Sequence, residues 1–183
     1  MAHDRKHPKD GKSGPLSSLM PSSLIESTVL IRGGAFRQWH QFPTDAKKKE
    51  RYFFVVNFDP KTDEVLLLYT ATTQIADREA HRRSEVLVKV SPKEYHELGA
   101  NSVIDCESLI KRDRKELIKQ ISNKEVTPLD ALPDTVIARI CEAVKATRIL
   151  SQKEKEKIIG PVEQASDDPQ APGSSISPSE PKE

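Results

Sequence analysis

The sequence predicts an α+β fold built on a strongly bent antiparallel sheet. Two runs of strand formers, Tyr52 to Asn57 and Val65 to Thr70, flank turn chemistry at Asp59-Pro60-Lys61-Thr62-Asp63 and read as a buried β-hairpin. The signals that follow are short strands with helices inserted late, without the strand-helix-strand alternation that a parallel sheet requires. All nine aromatic residues lie between Phe36 and Tyr95, whereas eight of the 13 prolines fall in the first 21 or the last 23 residues. The chain therefore reads as one domain over residues 24–159 between two tails, 1–23 and 160–183. Their Pro, Ser, Gly and acidic residues bury too little apolar surface to offset chain entropy, so both tails are expected to be disordered.

Taken in order, Leu24, Ile25, Val29, Leu30 and Ile31 form the first apolar cluster, and Arg32-Gly33-Gly34 reads as a turn or bulge leading into a strand from Ala35 to Phe42. The hairpin follows. A charged loop is expected from Asp77 to Ser84, then a strand at Val86 to Val90. Ser91-Pro92-Lys93-Glu94 has the spacing of a capping box with proline at the first helical position, which predicts one or two helical turns ending at Gly99. An imperfectly alternating strand is expected from Ser102 to Leu109. Asp113-Arg114-Lys115-Glu116 then caps a short helix to about Ile121, and the basic run from Lys111 to Lys119 reads as one solvated helix face. From Leu132-Pro133-Asp134-Thr135 a longer helix carries Val136, Ile137, Ile140, Val144 and Thr147 on one stripe, which can close one end of a small barrel.

Composition narrows the function classes. The longest apolar runs are far shorter than the ~18 residues needed to cross a bilayer. The basic N-terminus turns to Gly, Ser and Pro without a stretch of signal-peptide length, so export by a signal peptide is not expected. Cys106 and Cys141 stand far apart with no Cys-x-x-Cys or Cys/His cluster. Neither a disulfide framework nor a metal site is suggested, no cofactor is expected, and a reducing cytoplasm is the expected location. Lys and Arg outnumber Asp and Glu by only about three within residues 24–159. The local clusters are more telling: Lys47, Lys48, Lys49 and Arg51; Arg78, Arg82 and Arg83; and Lys111, Arg112, Arg114, Lys115 and Lys119.

Over roughly residues 31–150 the order of motifs resembles the PemK/MazF family of bacterial toxin-antitoxin endoribonucleases. Arg32 to Phe36 is similar to that family's opening R-G-(D/E)-(I/V)-(Y/W) strand, and Glu50 to Val56 to its (K/G)-R-P-V-V-V-V strand. Tyr69-Thr70-Ala71-Thr72 resembles the end of the next strand, (I/V)-T-(S/A). Glu85 to Leu117 follows the family's order of strand, short helix, S-V strand and a basic-acidic segment ending in Asp-x-x-x-Leu. The resemblance implies an SH3-like barrel, with a homodimer, a small antitoxin protein as partner and single-stranded messenger RNA as substrate. It also implies metal-independent cleavage in which the substrate's 2′-hydroxyl attacks the adjacent phosphate, leaving a cyclic phosphate and a 5′-hydroxyl.

That step needs a cation or donors on the phosphate and groups that move protons at the two oxygens. Arg51 stands at the family's catalytic arginine and Thr70 at its catalytic Thr or Ser, while Glu107 matches an acidic residue that some members use in proton transfer. His40 offers an alternative base. Lys47, Lys48, Lys49, Thr72, Arg82, Arg83 and Lys111 are the implied RNA contacts. Tyr52 stands at the family's proline, Ile110-Lys111 at its Arg-Thr, and Asp105 where one branch places an arginine. An anion at Asp105 would repel the scissile phosphate if it faced the site. The competing reading is a barrel of the same architecture that binds RNA or a protein without cleaving.

Overall fold

The computed structural model describes residues 21–43 and 46–161. Of the expected tails 1–23 and 160–183, residues 1–20 and 162–183 lie outside the described residues, while Ser22 and Ser23 belong to a helix rather than to a tail. The described residues form seven strands, β1 (Ala35–His40), β2 (Lys49–Val55), β3 (Val65–Thr72), β4 (Leu87–Val90), β5 (Ser102–Asp105), β6 (Ile110–Asp113) and β7 (Thr127–Leu129). Five helices accompany them: α1 (Ser22–Val29), α2 (Ile75–His81), α3 (Arg114–Ser122), α4 (Asp134–Ala146) and α5 (Gln152–Ile159). Every strand pairing is antiparallel, in the order β4-β5-β3-β2-β1-β7 with β6 also on β3. The path is open, with β4 and β7 at its two ends. No helix among the described residues is long and apolar enough to cross a membrane.

The hairpin is β2-β3, and side-chain alternation splits it between two cores. Phe54, Val56, Leu67 and Tyr69 face one, closed by Val136, Ile140 and Val144 of α4 and by Ile158 of α5. Phe53, Val55, Leu66 and Leu68 face the other, under Ile25 and Val29 of α1 and Leu117 and Ile121 of α3. Gly33, at φ +78°, turns the chain into β1 as expected. Backbone bonds from Gly33 N to Val55 O and from Val55 N to Gly34 O, each 2.8 Å, tie that turn to the end of β2.

Several elements depart from the sequence reading. The segment expected as a charged loop from Asp77 is helical: α2 buries none of its residues, so it shows no apolar period. Only half of the box at Ser91 forms, with Glu94 accepting from Ser91 N at 2.9 Å and Oγ at 3.0 Å while Glu94 N donates to the Ser91 carbonyl, and the chain there makes only turns, with Tyr95 and Leu98 folded into the core. Those bonds hold the Glu94 carboxyl below its usual range. Lys111 and Arg112 belong to β6 rather than to a helix; the helix starts after Asp113, whose carboxylate accepts from Glu116 N at 2.9 Å.

Helix α5 begins with a complete capping box at Ser151 and Glu154. Lys111 Nζ lies 2.6 Å from Glu154 Oε1, and the Lys111 bond, followed by those from Ser151, pulls the Glu154 carboxyl down to about 2. The stability this contributes is complete above the ordinary carboxyl value of 4.5 and is lost as the pH falls toward 2. Urea unfolding across that interval is expected to show a shallower loss of stability for Glu154→Gln than for the parent chain; identical pH slopes would refute the assignment.

Candidate nucleic-acid interface

The alternation that sorts the cores also sorts the candidate residues. Gln38 lies directly opposite Arg51 across β1-β2, and Phe53 opposite Thr70 across β2-β3. Continuing that ladder places Arg51 across from Thr72. Arg51, Thr70 and Thr72 therefore share the sheet face that carries Phe53. The sheet coils strongly here: the Phe53 ring stacks on its register partner Phe36 at 5.2 Å, yet His40, four positions further along β1, also meets it edge-on at 5.5 Å. His40 touches Phe42 at 4.7 Å, and the Arg51 guanidinium lies 5.2 Å from the same Phe42 ring. Arg51, Thr70 and His40 are thus grouped around two phenylalanines at one end of the sheet. A cleft of about 320 Å³, lined in part by Arg51, Tyr52, Thr72 and Gly99, opens beside them.

Lys47, Lys48 and Lys49 are exposed on the approach to β2, with Lys49 opposite His40. Lys111 is elsewhere. Its register partner is Leu67, whose side chain belongs to the other core, so Lys111 points away from the Arg51 face and toward α5.

Arg82 and Arg83, both partly exposed, flank Glu107. The Glu107 carboxylate is 3.7 Å from Arg82 Nε and 3.7 Å from Arg83 Nη2. Asp105, which sequence reasoning left as a possible repulsive anion, is buried and fully engaged. It accepts from Arg82 Nε at 3.1 Å, Arg78 Nη1 at 3.4 Å, Ser108 Oγ at 2.8 Å and Glu107 N at 2.9 Å. Its charge is compensated locally, and the same contacts fasten α2 to the β5-β6 turn.

Sequence reasoning missed one member of the Arg51 face. Arg112 lies 5.1 Å from the Phe53 ring and 6.0 Å from Phe36, and its Nη1 donates to Gln38 Oε1 at 2.5 Å and Gln120 Oε1 at 3.3 Å. Gln38 in turn donates to Gln120 at 3.0 Å. The available signal was strand parity, since Arg112 stands two positions after Ile110 and pairs with Leu66, a residue of the same face. Trp39, 59% exposed, lines a neighbouring cleft with Gln38, Lys48 and Glu125.

Of the buried ionisable groups, Tyr69 is pushed up by burial and donates its hydroxyl to Cys106 O at 3.0 Å, and Cys106 is likewise pushed up by burial. Both act as core groups. Cys106 and Cys141 are free thiols. Elsewhere, ligand atoms of His96, Glu97 and Asp130 come within 4.8 Å of one another at the surface. His96 Nε2 and Asp130 Oδ2 there are exposed and 3.5 Å apart.

No family model matches the chain. No curated protein matches it either. Among solved structures, one similar to it is an endoribonuclease in complex with its cognate antitoxin from mycobacterial species, 12% identical in sequence with a TM-score of 0.41, the match covering 62% of this chain and 89% of that one.

Proposed function

We propose that the protein is a PemK/MazF-like endoribonuclease of SH3-like barrel type that cleaves single-stranded RNA without a metal ion on the β1-β3 face. The observation that carries this reading is the convergence of Arg51, Thr70 and His40 around Phe53 and Phe42. Arg51 supplies a planar fork that binds two phosphate oxygens and stays charged as negative charge builds on them. Thr70 adds a hydroxyl to the same phosphate.

In the reaction the 2′-oxygen bonds to phosphorus and the bond from phosphorus to the 5′-oxygen breaks. The proton leaving the 2′-hydroxyl passes to the His40 imidazole, the 5′-oxygen takes one from water, and the imidazolium returns its proton to the hydroxide left behind. Glu107, the other proton-transfer candidate, is committed to Arg82 and Arg83. Trp39 beside Lys48 offers a surface on which a base can stack. A homodimer, a small antitoxin protein as partner and a cytoplasmic location belong to the same reading.

The second reading, a barrel that binds RNA without cutting it, draws on the same Arg82 and Arg83 pairs, because cations already neutralised by Asp105 and Glu107 lend the site less charge. A mixed-sequence single-stranded RNA incubated with the protein in EDTA separates the two. Fragments ending in cyclic phosphate and 5′-hydroxyl are expected. Cleavage that requires a divalent ion would overturn the mechanism, and salt-dependent binding without cleavage would establish the binding module.

A further inference from the structure

We propose that Arg112 is a second phosphate-binding arginine of the Arg51 face, held ready by Gln38 and Gln120, so that the site grips two points of a single-stranded RNA backbone. The inference rests on the RNA-directed reading above and adds a residue to it. Most half-buried or clustered cations of the fold are balanced by acids: Arg78, Arg82 and Arg83 by Asp105 and Glu107, Lys111 by Glu154, and Lys157 by Asp63. Arg112 is different. Its guanidinium is packed over Phe53 and Phe36, and its hydrogen-bond partners are the neutral amide oxygens of Gln38 and Gln120. Glu116, the acid nearest in charge effect, is one step removed and accepts from Gln120 Nε2 at 3.3 Å.

A guanidinium held this way has lost part of its water without gaining a counter-ion, and that loss depresses its pKa. Arg112 is only half-buried, and an anion reaching it would restore what burial removed, with little side-chain freedom left to lose. The position is also suited to a backbone already held by Arg51. Gln38 is the cross-strand register partner of Arg51 and the hydrogen-bond partner of Arg112, so both arginines belong to the sheet face that carries Phe53. Gln38 and Gln120 are positioning residues.

The test uses the full chain and a single-stranded DNA oligonucleotide of mixed sequence, which lacks the 2′-hydroxyl and so remains uncut while affinity is measured from low to moderate salt. Arg112→Met is expected to bind about tenfold more weakly at low salt and to lose roughly 0.7 from the salt slope, the contribution of one single-strand phosphate contact. Arg112→Lys keeps the charge but not the fork, and is expected to keep the slope while losing severalfold in affinity. Melting curves on each variant show whether it is folded. If Arg112→Met does not fold, Arg112→Lys decides.

A folded variant with parental affinity and slope would overturn the proposal, as would a parent chain that binds no oligonucleotide at low salt. Loss of slope in Arg112→Met together with intact RNA in the cleavage assay would support the phosphate site while overturning the nuclease reading. Parental slope together with normal cleavage would do the reverse.

Discussion

Arg51→Ala is expected to lower the proposed RNA cleavage by about 100- to 1000-fold, the loss that follows when one preorganised donor to a developing anion is removed. The fold should survive, because Arg51 belongs to neither apolar core and its packing on the Phe42 ring is a contact of about 1 kcal/mol. Arg51→Lys retains the charge without the bidentate fork and should fall between parent and alanine variant. Single-turnover rates on RNA in EDTA, with melting temperatures measured alongside, check this. A folded Arg51→Ala that cuts within a few-fold of the parent would remove Arg51 from the chemistry and leave the face a binding surface at most.

Gly34→Ala has the largest expected effect on stability, about 4 kcal/mol or more, at the upper end of what single substitutions do. A Cβ at this position would stand 2.1 Å from Val29 O and 2.8 Å from Val29 C, which are backbone atoms and cannot swing aside. The same residue donates to Ile31 O at 2.9 Å and accepts from Val55 N at 2.8 Å, so any displacement that relieves the overlap breaks the attachment of α1 and the turn to β2. Gly99→Ala is the control, since a Cβ there meets nothing within 4 Å. Urea unfolding should separate the two variants by several kcal/mol. Similar midpoints would show that α1 shifts more easily than its packing over Phe36 and Phe53 implies.

The elements most legible in the sequence are those that bury apolar side chains with a regular period. The hairpin and α4 are of this kind, and the stripe from Val136 to Val144 is the buried face of its helix. Elements held by polar contacts escaped. Helix α2 has no buried residue and is fastened by Arg78 and Arg82 to Asp105, a pairing between segments more than 20 residues apart that no local pattern announces. Strand β6, Ile110-Lys111-Arg112-Asp113, is too charged to read as a strand, and its pairing with β3 decides the matter. Helix α5 did carry a local sign, the Ser151-x-x-Glu154 spacing, identical to the one at Ser91 that yields only a turn. Spacing marks where a helix can start, and tertiary packing decides whether it continues.

At the candidate site the resemblance pointed to Arg51 and Thr70 one at a time. Their common face follows from antiparallel register, which places Phe53 against Thr70 and Gln38 against Arg51. Asp105 could be recognised as an acid, but its role as the anchor of two arginines depends on contacts that only the folded chain makes.

Strands β2 and β3 carry an apolar core on each side, and this limits how the chain can change. Inserting or deleting one residue between Arg51 and Val55 would exchange the sides of Phe53 and Phe54, ejecting a large ring from each core at once and turning Arg51 to the opposite surface. A one-sided sheet could tolerate such a slip by exposing its polar face; this one has no spare face to expose. Variation in the length of the chain is therefore confined to the connections, such as the lysine-rich approach to β2, while the strands can vary only by substitution. The side on which the candidate RNA site opens is in that sense a matter of odd and even numbering, fixed by the same residues that hold the molecule together.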